Sequence, residues 1–260
     1  MNNLQTTIFI LIDAALHQKT DANITLPEDT DWNEIEEELS AQSVLGIPLD
    51  YMVHNVDAPK EIIDQWTLMV YSQVAQWTKL MEEQTKLVEL LNQNNIPTAI
   101  IKGAAAAMNY PKVEYRSMGD IDFVVKDEDY KKAFELLRAN GYGFATDESK
   151  GERHVEDEKF YHVELKKGDI VFELHRRMSD TAQGKDIDQI VDNRIKEGMN
   201  HIQTGRVGNY EFPMFEKKLN GLIILRHIIQ HLSDAKGVGL RHVIDWMTFV
   251  EENVDDAFWQ

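Results

Sequence analysis

Apolar positions along this chain change their spacing twice, and the changes divide it into three parts. Thr6 to His17 reads as a short amphipathic helix. Asp31, with Glu34 three residues on, has the form of a capping box for a helix running to about Gln42. Pro59 then opens a long helical pattern carried by Ile62, Ile63, Trp66, Met69, Val70, Val74, Trp77, Leu80, Met81, Leu87, Val88 and Leu91. Asn94, Asn95 and Pro97 end it. At about 1.5 Å per residue such a helix spans roughly 50 Å, enough to brace a domain.

From Ile96 the pattern shortens. Thr98 to Lys102 is an apolar run suited to a buried strand, and Gly103 to Met108 an alanine-rich helix start. Pro111 to Gly119 reads as a loop, Asp120 to Val125 as a strand, and Asp127 to Ala139 as a helix capped by Asp127 and closed by Asn140-Gly141. Tyr142 to Thr146 is a further strand, and Asp147 to Glu158 a charged loop. Phe160 to Lys166 and Ile170 to Met178 flank Lys167-Gly168-Asp169 as a hairpin. The rest reads as helical, mainly Phe215 to Leu232 and Arg241 to about Glu251. The expected class is α+β, a mixed sheet backed by helices, with a helical region at 1–95, a central unit at 96–178 and a second helical region at 179–260.

Charge follows the same division. The 260 residues carry a formal net charge of −18, but residues 1–100 alone hold 16 acidic and 4 basic side chains. Residues 101–177 hold 16 and 14 and are almost neutral. A surface this acidic does not displace phosphate counterions, which argues against a long nucleic-acid partner and against an anionic membrane surface. No apolar run approaches the roughly 18–20 residues of a membrane span. Ile8 to Ile12 is too short for a signal peptide, lacks a basic start and is closed by Asp13. The absence of cysteine removes disulfides, thiol nucleophiles and zinc–thiolate sites. A cytoplasmic protein is the expectation.

The neutral centre carries the chemistry. In a strand, alternate side chains share a face, so Asp120 and Asp122 point one way while Ile121 and Phe123 pack behind. Two carboxylates about 7 Å apart along a strand repel unless a cation lies between them, and hard divalent ions, magnesium first, bind oxygen ligands. Glu173 and His175 share a face of the second hairpin strand. If the two strands are neighbours, Glu173 completes a three-carboxylate site of the kind that holds two metals for in-line phosphoryl transfer. Lys102-Gly103 lies at a strand-to-helix turn, where a glycine lets backbone amides approach phosphate oxygens. Lys102 either adds charge there or is simply exposed.

The segment Lys102-Gly103, Arg116, Gly119-Asp120-Ile121-Asp122 and Phe172-Glu173-Leu174-His175 resembles the uncharacterised nucleotidyltransferase family of the DNA-polymerase-β-like superfamily. The helical tail with Leu225-Arg226-His227, His231, Leu240-Arg241 and Asp245 is similar as well, so the resemblance covers about Asn95 to Phe249. It implies Asp120, Asp122 and Glu173 as catalytic magnesium (or manganese) ligands, and Lys102, Gly103, Arg116 and Gly119 as the cradle for an NTP. The implied reaction moves a nucleoside monophosphate to a hydroxyl of a small molecule or protein. Better-characterised superfamily members carry Gly-Ser or Gly-Gly where this chain has Lys102-Gly103.

Several readings stay open at this level. Arg116 either neutralises the leaving pyrophosphate or pairs with a loop carboxylate. His227 and His231, four apart on one helix, either ligate zinc or manganese with Asp245 or pack, with His227 bonded to Asp245. A protease-type zinc helix needs Glu after the first histidine, and Ile228 stands there. A degenerate nucleotide-binding module is the non-enzymatic alternative. His154 and His162 have no evident partners.

Overall fold

A computed structural model describes residues 2–19, 26–27, 30–178, 185–233, 237–255 and 258. The N-terminal part is helical: α1 (Asn3–Leu16), α2 (Trp32–Ala41), α3 (Leu49–Asn55) and α4 (Lys60–Gln93). α1 starts three residues earlier than its apolar pattern because Asn2 and Gln5 cap each other's amides reciprocally. Asp31 caps α2 by accepting the amides of Asn33 and Glu34. The 34 residues of α4 form one uninterrupted helix. Trp66 and Val70 pack with α1–α3, whereas Trp77, Leu80, Met81, Leu87 and Leu91 lie under the sheet. α3, which buries Leu49, Tyr51 and Met52, has no counterpart in the sequence pattern.

The sheet has the order β1-β2-β5-β4-β3, formed by β1 (Thr98–Ile100), β2 (Asp120–Val125), β3 (Gly143–Phe144), β4 (His162–Lys167) and β5 (Ile170–His175). It is mixed, since β2 and β5 run parallel and the other pairs antiparallel. Strand alternation sorts its faces. Ile121, Phe123 and Val125 join Phe172, Leu174, Val163 and Leu165 in the core beneath α4 and α6 (Tyr130–Ala139). Burying each such side chain contributes about 1.5–3 kcal/mol, so the register of this sheet is strongly held. On the opposite face Val124, with Ala99 and Ile101, meets Val191, Ile195, Phe215 and Ile223. These belong to α8 (Lys185–Gly198), α9 (Lys217–Ser233) and the segment before α9. The helices cover that face at one end and leave the start of β2 open.

Three expectations need correction. The charged stretch at Asp147 to Glu158 is not a loop but α7 (Glu148–Glu156), with Asp147 accepting the Lys150 amide as its cap. Gly151 lets α7 settle on the Phe144 ring, where a Cβ would come within 2.2 Å of that ring. Asp127 makes no side-chain cap: a 3₁₀ turn, Asp127–Asp129, precedes α6. The C-terminal part is not wholly helical, because β6 (Gln203–Val207) and β7 (Tyr210–Met214) form a hairpin across Gly208-Asn209. Val207, Phe212 and Met214 enter the sheet core, and Tyr210 meets Trp77 edge-on at 5.9 Å. The expected boundary after Met178 borders residues outside the described set. α10 (Leu240–Asn253) closes the fold against α9.

Candidate active site

Register brings the carboxylates together. Asp122 is the Cα partner of Glu173, and Glu173 in turn of Glu164, so three carboxylates form a row across β2, β5 and β4. Asp120 lies two residues before Asp122 on the same face. A cavity of about 370 Å³ opens over this face. All seven residues singled out above line it: Lys102, Gly103, Arg116, Gly119, Asp120, Asp122 and Glu173. A second cavity, of about 440 Å³, lies between α1, α3 and the loop after Tyr110. Its apolar lining lacks the carboxylate row.

Two cations compensate the row from within the protein. The Lys102 ammonium lies 2.6 Å from Asp122 and 3.7 Å from Glu173. Burial works against its charge, but Asp122 and Glu173 outweigh burial and raise its pKa. Lys102 adopts φ +54° with ψ −119°, a sparsely populated region that favours glycine and costs another residue about 1–3 kcal/mol. The turn is tight on its other side as well, since a Cβ on Gly103 would stand 3.0 Å from the Met118 methyl. His175 is fully buried and places Nε2 at 3.0 Å from Asp122 and 3.2 Å from Glu173, with Nδ1 at 3.2 Å from the Arg177 carbonyl. Three acceptors around one ring need both nitrogens to donate, as in the imidazolium. Burial and Lys102 oppose that charge, yet the two carboxylates raise the His175 pKa. Glu173 is correspondingly lowered: burial would raise it, and the His175 bond and Lys102 overcome that.

Asp120 is different. Among the described residues it has neither hydrogen bond nor ion pair, and burial together with Asp122 and Glu173 pushes its pKa up to about 7. Lys102 and Arg241 pull the other way without overcoming burial and the two carboxylates, so this half-buried carboxylate is only partly compensated and favours a further cation. Oxygen donors of this kind fit a hard divalent ion, although the ligand atoms that lie within 4.8 Å of one another belong to Asp122, Glu173 and His175 and do not include Asp120.

Arg116 meets a helix rather than a loop carboxylate. Its Nε and Nη2 donate to the two oxygens of Asp245 on α10 at 2.8 and 2.7 Å, and both residues are buried. The Tyr110 hydroxyl donates to the same carboxylate at 2.6 Å. Asp245 is thus engaged by Arg116 and Tyr110, not by His227, and it is not the third member of a histidine metal site. His242 of α10 takes that place beside His227 and His231.

Several cleft residues escaped the sequence reading. Arg241 lines the cavity with a buried Nε that has no partner. Burial and Arg116 push its pKa down against the pull of Asp245 and Asp120, and its Nη1 donates to the Ser117 carbonyl at 3.3 Å. Glu164 and His162 also line it; they approach to 3.7 Å, and His162 stacks on His175 with ring centroids 5.2 Å apart. His154 in turn stacks on Phe160. The alternation that joined Asp120 to Asp122 also joins His162 to Glu164, and was the signal available for that pair.

The family model described as "Uncharacterised nucleotidyltransferase" matches residues 28–260. No curated protein matches the chain. Solved structures that resemble it include the antibiotic-resistance factor ANT(2'')-Ia, at 12% identity over 70% of this chain and 88% of that one, with a TM-score of 0.46. A nucleotidyltransferase-like antigenic protein from Paracoccidioides brasiliensis is 15% identical over 67% of this chain and 77% of its own, with a TM-score of 0.44. The lincosamide antibiotic adenylyltransferase LnuA, bound to lincomycin, is 12% identical over 65% and 94%, with a TM-score of 0.38.

Proposed function

Because the chain belongs to the uncharacterised nucleotidyltransferase family, we propose that it transfers a nucleoside monophosphate from an NTP to a hydroxyl of a small-molecule or protein acceptor. The observation that carries this reading is Asp120, without a hydrogen bond or ion pair to its carboxylate among the described residues, beside the Asp122–Glu173 pair in a cavity that also presents Arg241. Asp120, Asp122 and Glu173 would hold magnesium, or manganese, which when bound neutralises the triphosphate and acidifies the acceptor hydroxyl.

The residues of the chain have separable tasks. Lys102, which here holds Asp122 and Glu173, would turn its ammonium to the donor phosphates. Gly103 and Gly119 keep the backbone beside those phosphates free of side chains. Arg241 supplies the charge for the departing pyrophosphate, one of the two tasks open to Arg116 in the sequence, while Arg116 holds the loop before β2 against α10. The acceptor oxygen forms its bond to the α-phosphorus as the bond to pyrophosphate breaks, and the hydroxyl proton passes to Glu173, which His175 keeps in place. Positioning and fixed charge supply most of the rate in such a transfer. Tyr161, Gln230 and Glu164 line the cavity with hydrogen-bonding groups, which suits a polar, hydroxyl-bearing acceptor.

The test is release of pyrophosphate from each NTP in magnesium, with and without a panel of small acceptors. Wild-type turnover that disappears in Asp120→Asn and Asp122→Asn supports the reading. Turnover that survives both substitutions refutes it.

A further inference from the structure

The helical wall of the cleft carries a constellation to which the transfer proposed above assigns no task. We propose that His227, His231 and His242 form a second metal site, for zinc, separate from the carboxylate site.

α9 places His227 and His231 one turn apart on the same face, with Nε2 atoms 3.0 Å apart. α10 packs against α9 and brings His242 to both, at ring-centroid separations of 5.1 Å from His227 and 4.4 Å from His231. One nitrogen from each ring lies within 4.8 Å of the other two. Tetrahedral zinc with Zn–N bonds of about 2.0–2.1 Å needs ligand nitrogens about 3.3 Å apart, so small side-chain rotations suffice.

His242 supplies the independent observation. It is only 8% exposed, and its Nε2 is buried with no hydrogen-bond partner among the described residues. Leaving a buried ring nitrogen unpaired is costly, and a metal ion would satisfy it. Its other nitrogen, Nδ1, accepts the Gly239 amide at 3.3 Å, longer than an ordinary N–H···N contact. Ligation through Nε2 moves the ring proton to Nδ1 and releases that long contact.

The donor set selects the metal. Three imidazoles with no carboxylate among them suit zinc and its transition-metal neighbours, not magnesium. Three protein ligands leave a fourth tetrahedral position for water or a substrate oxygen, unlike the closed four-ligand sites that serve structure alone. His227 and His231 also line the cavity that holds Asp120, Asp122 and Glu173. The substrate class for the open position is therefore an oxygen ligand in the same cleft, such as the acceptor hydroxyl.

The experiment is metal analysis of full-length, untagged protein purified without chelator, followed by cobalt titration of the stripped protein with visible absorption as readout. Expected are one zinc per chain, tetrahedral cobalt bands that saturate at one equivalent, and at least a tenfold drop in both for His242→Ala. Asp122→Asn and Glu173→Gln should keep zinc and cobalt, which separates this site from the carboxylates. If His242→Ala does not fold by circular dichroism, His231→Gln, at a partly exposed position, carries the same expectation. Absence of zinc and of cobalt bands, full binding by a folded histidine variant, or loss of binding in Asp122→Asn would each overturn the proposal.

Discussion

The two walls of the cleft are built on different principles. On the sheet wall, backbone register sets Asp122, Glu173 and Glu164 side by side whatever their mutual repulsion, because the apolar face behind them is buried. Charge there exceeds its internal compensation, and Asp120 is left over. On the helical wall, positions depend on how α9 and α10 pack, and burial strips charge away. Burial, with Lys102 nearby, pushes His227 down to about 2; burial, with Arg241, pushes His242 down to about 4. One wall holds anions that want a cation, the other lone pairs and guanidinium groups. The Arg116–Asp245 pair ties the loop before β2 to α10 and so fixes the distance between them.

The contrast breaks most sharply at Asp122. Asp122→Asn should lower magnesium-dependent pyrophosphate release by about a thousandfold or more, whereas Glu164→Gln, in the same row but two strands away on β4, should stay within about tenfold. Equal losses would show that the row acts as a unit.

Next in size is the tie between the walls. Arg116→Met leaves Asp245 as a buried carboxylate without its cation, which should cost about 3–5 kcal/mol in urea unfolding. Adding Asp245→Leu should recover part of that loss, because the stranded charge goes with it. A single variant as stable as wild type would mean that the walls are held by packing alone.

Lys102 sharpens the account of the sheet wall. With its ammonium gone in Lys102→Met, Asp122 and Glu173 are released, and magnesium without nucleotide should bind about tenfold more tightly, about 1.4 kcal/mol by calorimetry. Weaker binding would show that Lys102 organises the carboxylates instead of competing for them.

The smallest effect is a pH signature of opposite sign on the two walls in metal-free protein. Asp120 is raised from 3.8 to about 7, so between those values the native state holds the extra proton and stability falls as pH rises. His242 is lowered from 6.5 to about 4, so there the unfolded state holds the extra proton and stability rises with pH. Asp120→Asn should therefore steepen the rise of melting temperature from pH 4 to 6.5, and His242→Gln should flatten it.

Much of this molecule was legible locally. The apolar stripe of α4, the Asp120–Val125 strand and the turn at Gly168 follow from periodicities of 3.6 and 2 and from one positive-φ glycine. α7 was hidden because its polar sequence buries little beyond Gly151, and the contact that holds it, with Phe144, is tertiary. The β6–β7 hairpin carried a signal, Gly208-Asn209 between alternating residues, which the surrounding helical stretches masked. At the site, the Asp-x-Asp and Glu-x-His pairs were visible because residues two apart on one strand share a face. Arg116's partner was not, since Asp245 lies 129 residues away.

By itself, then, the sequence determined what each strand or helix presents on each face, and hence that carboxylates occur in pairs within a near-neutral centre. Only the tertiary structure decided which faces meet. It set β2 beside β5, gave Arg116 to Asp245, and brought His242 to His227 and His231. The reason is physical: periodicity is written into consecutive residues, but the partner of a buried charge is chosen by desolvation, which exists only once distant segments have packed together.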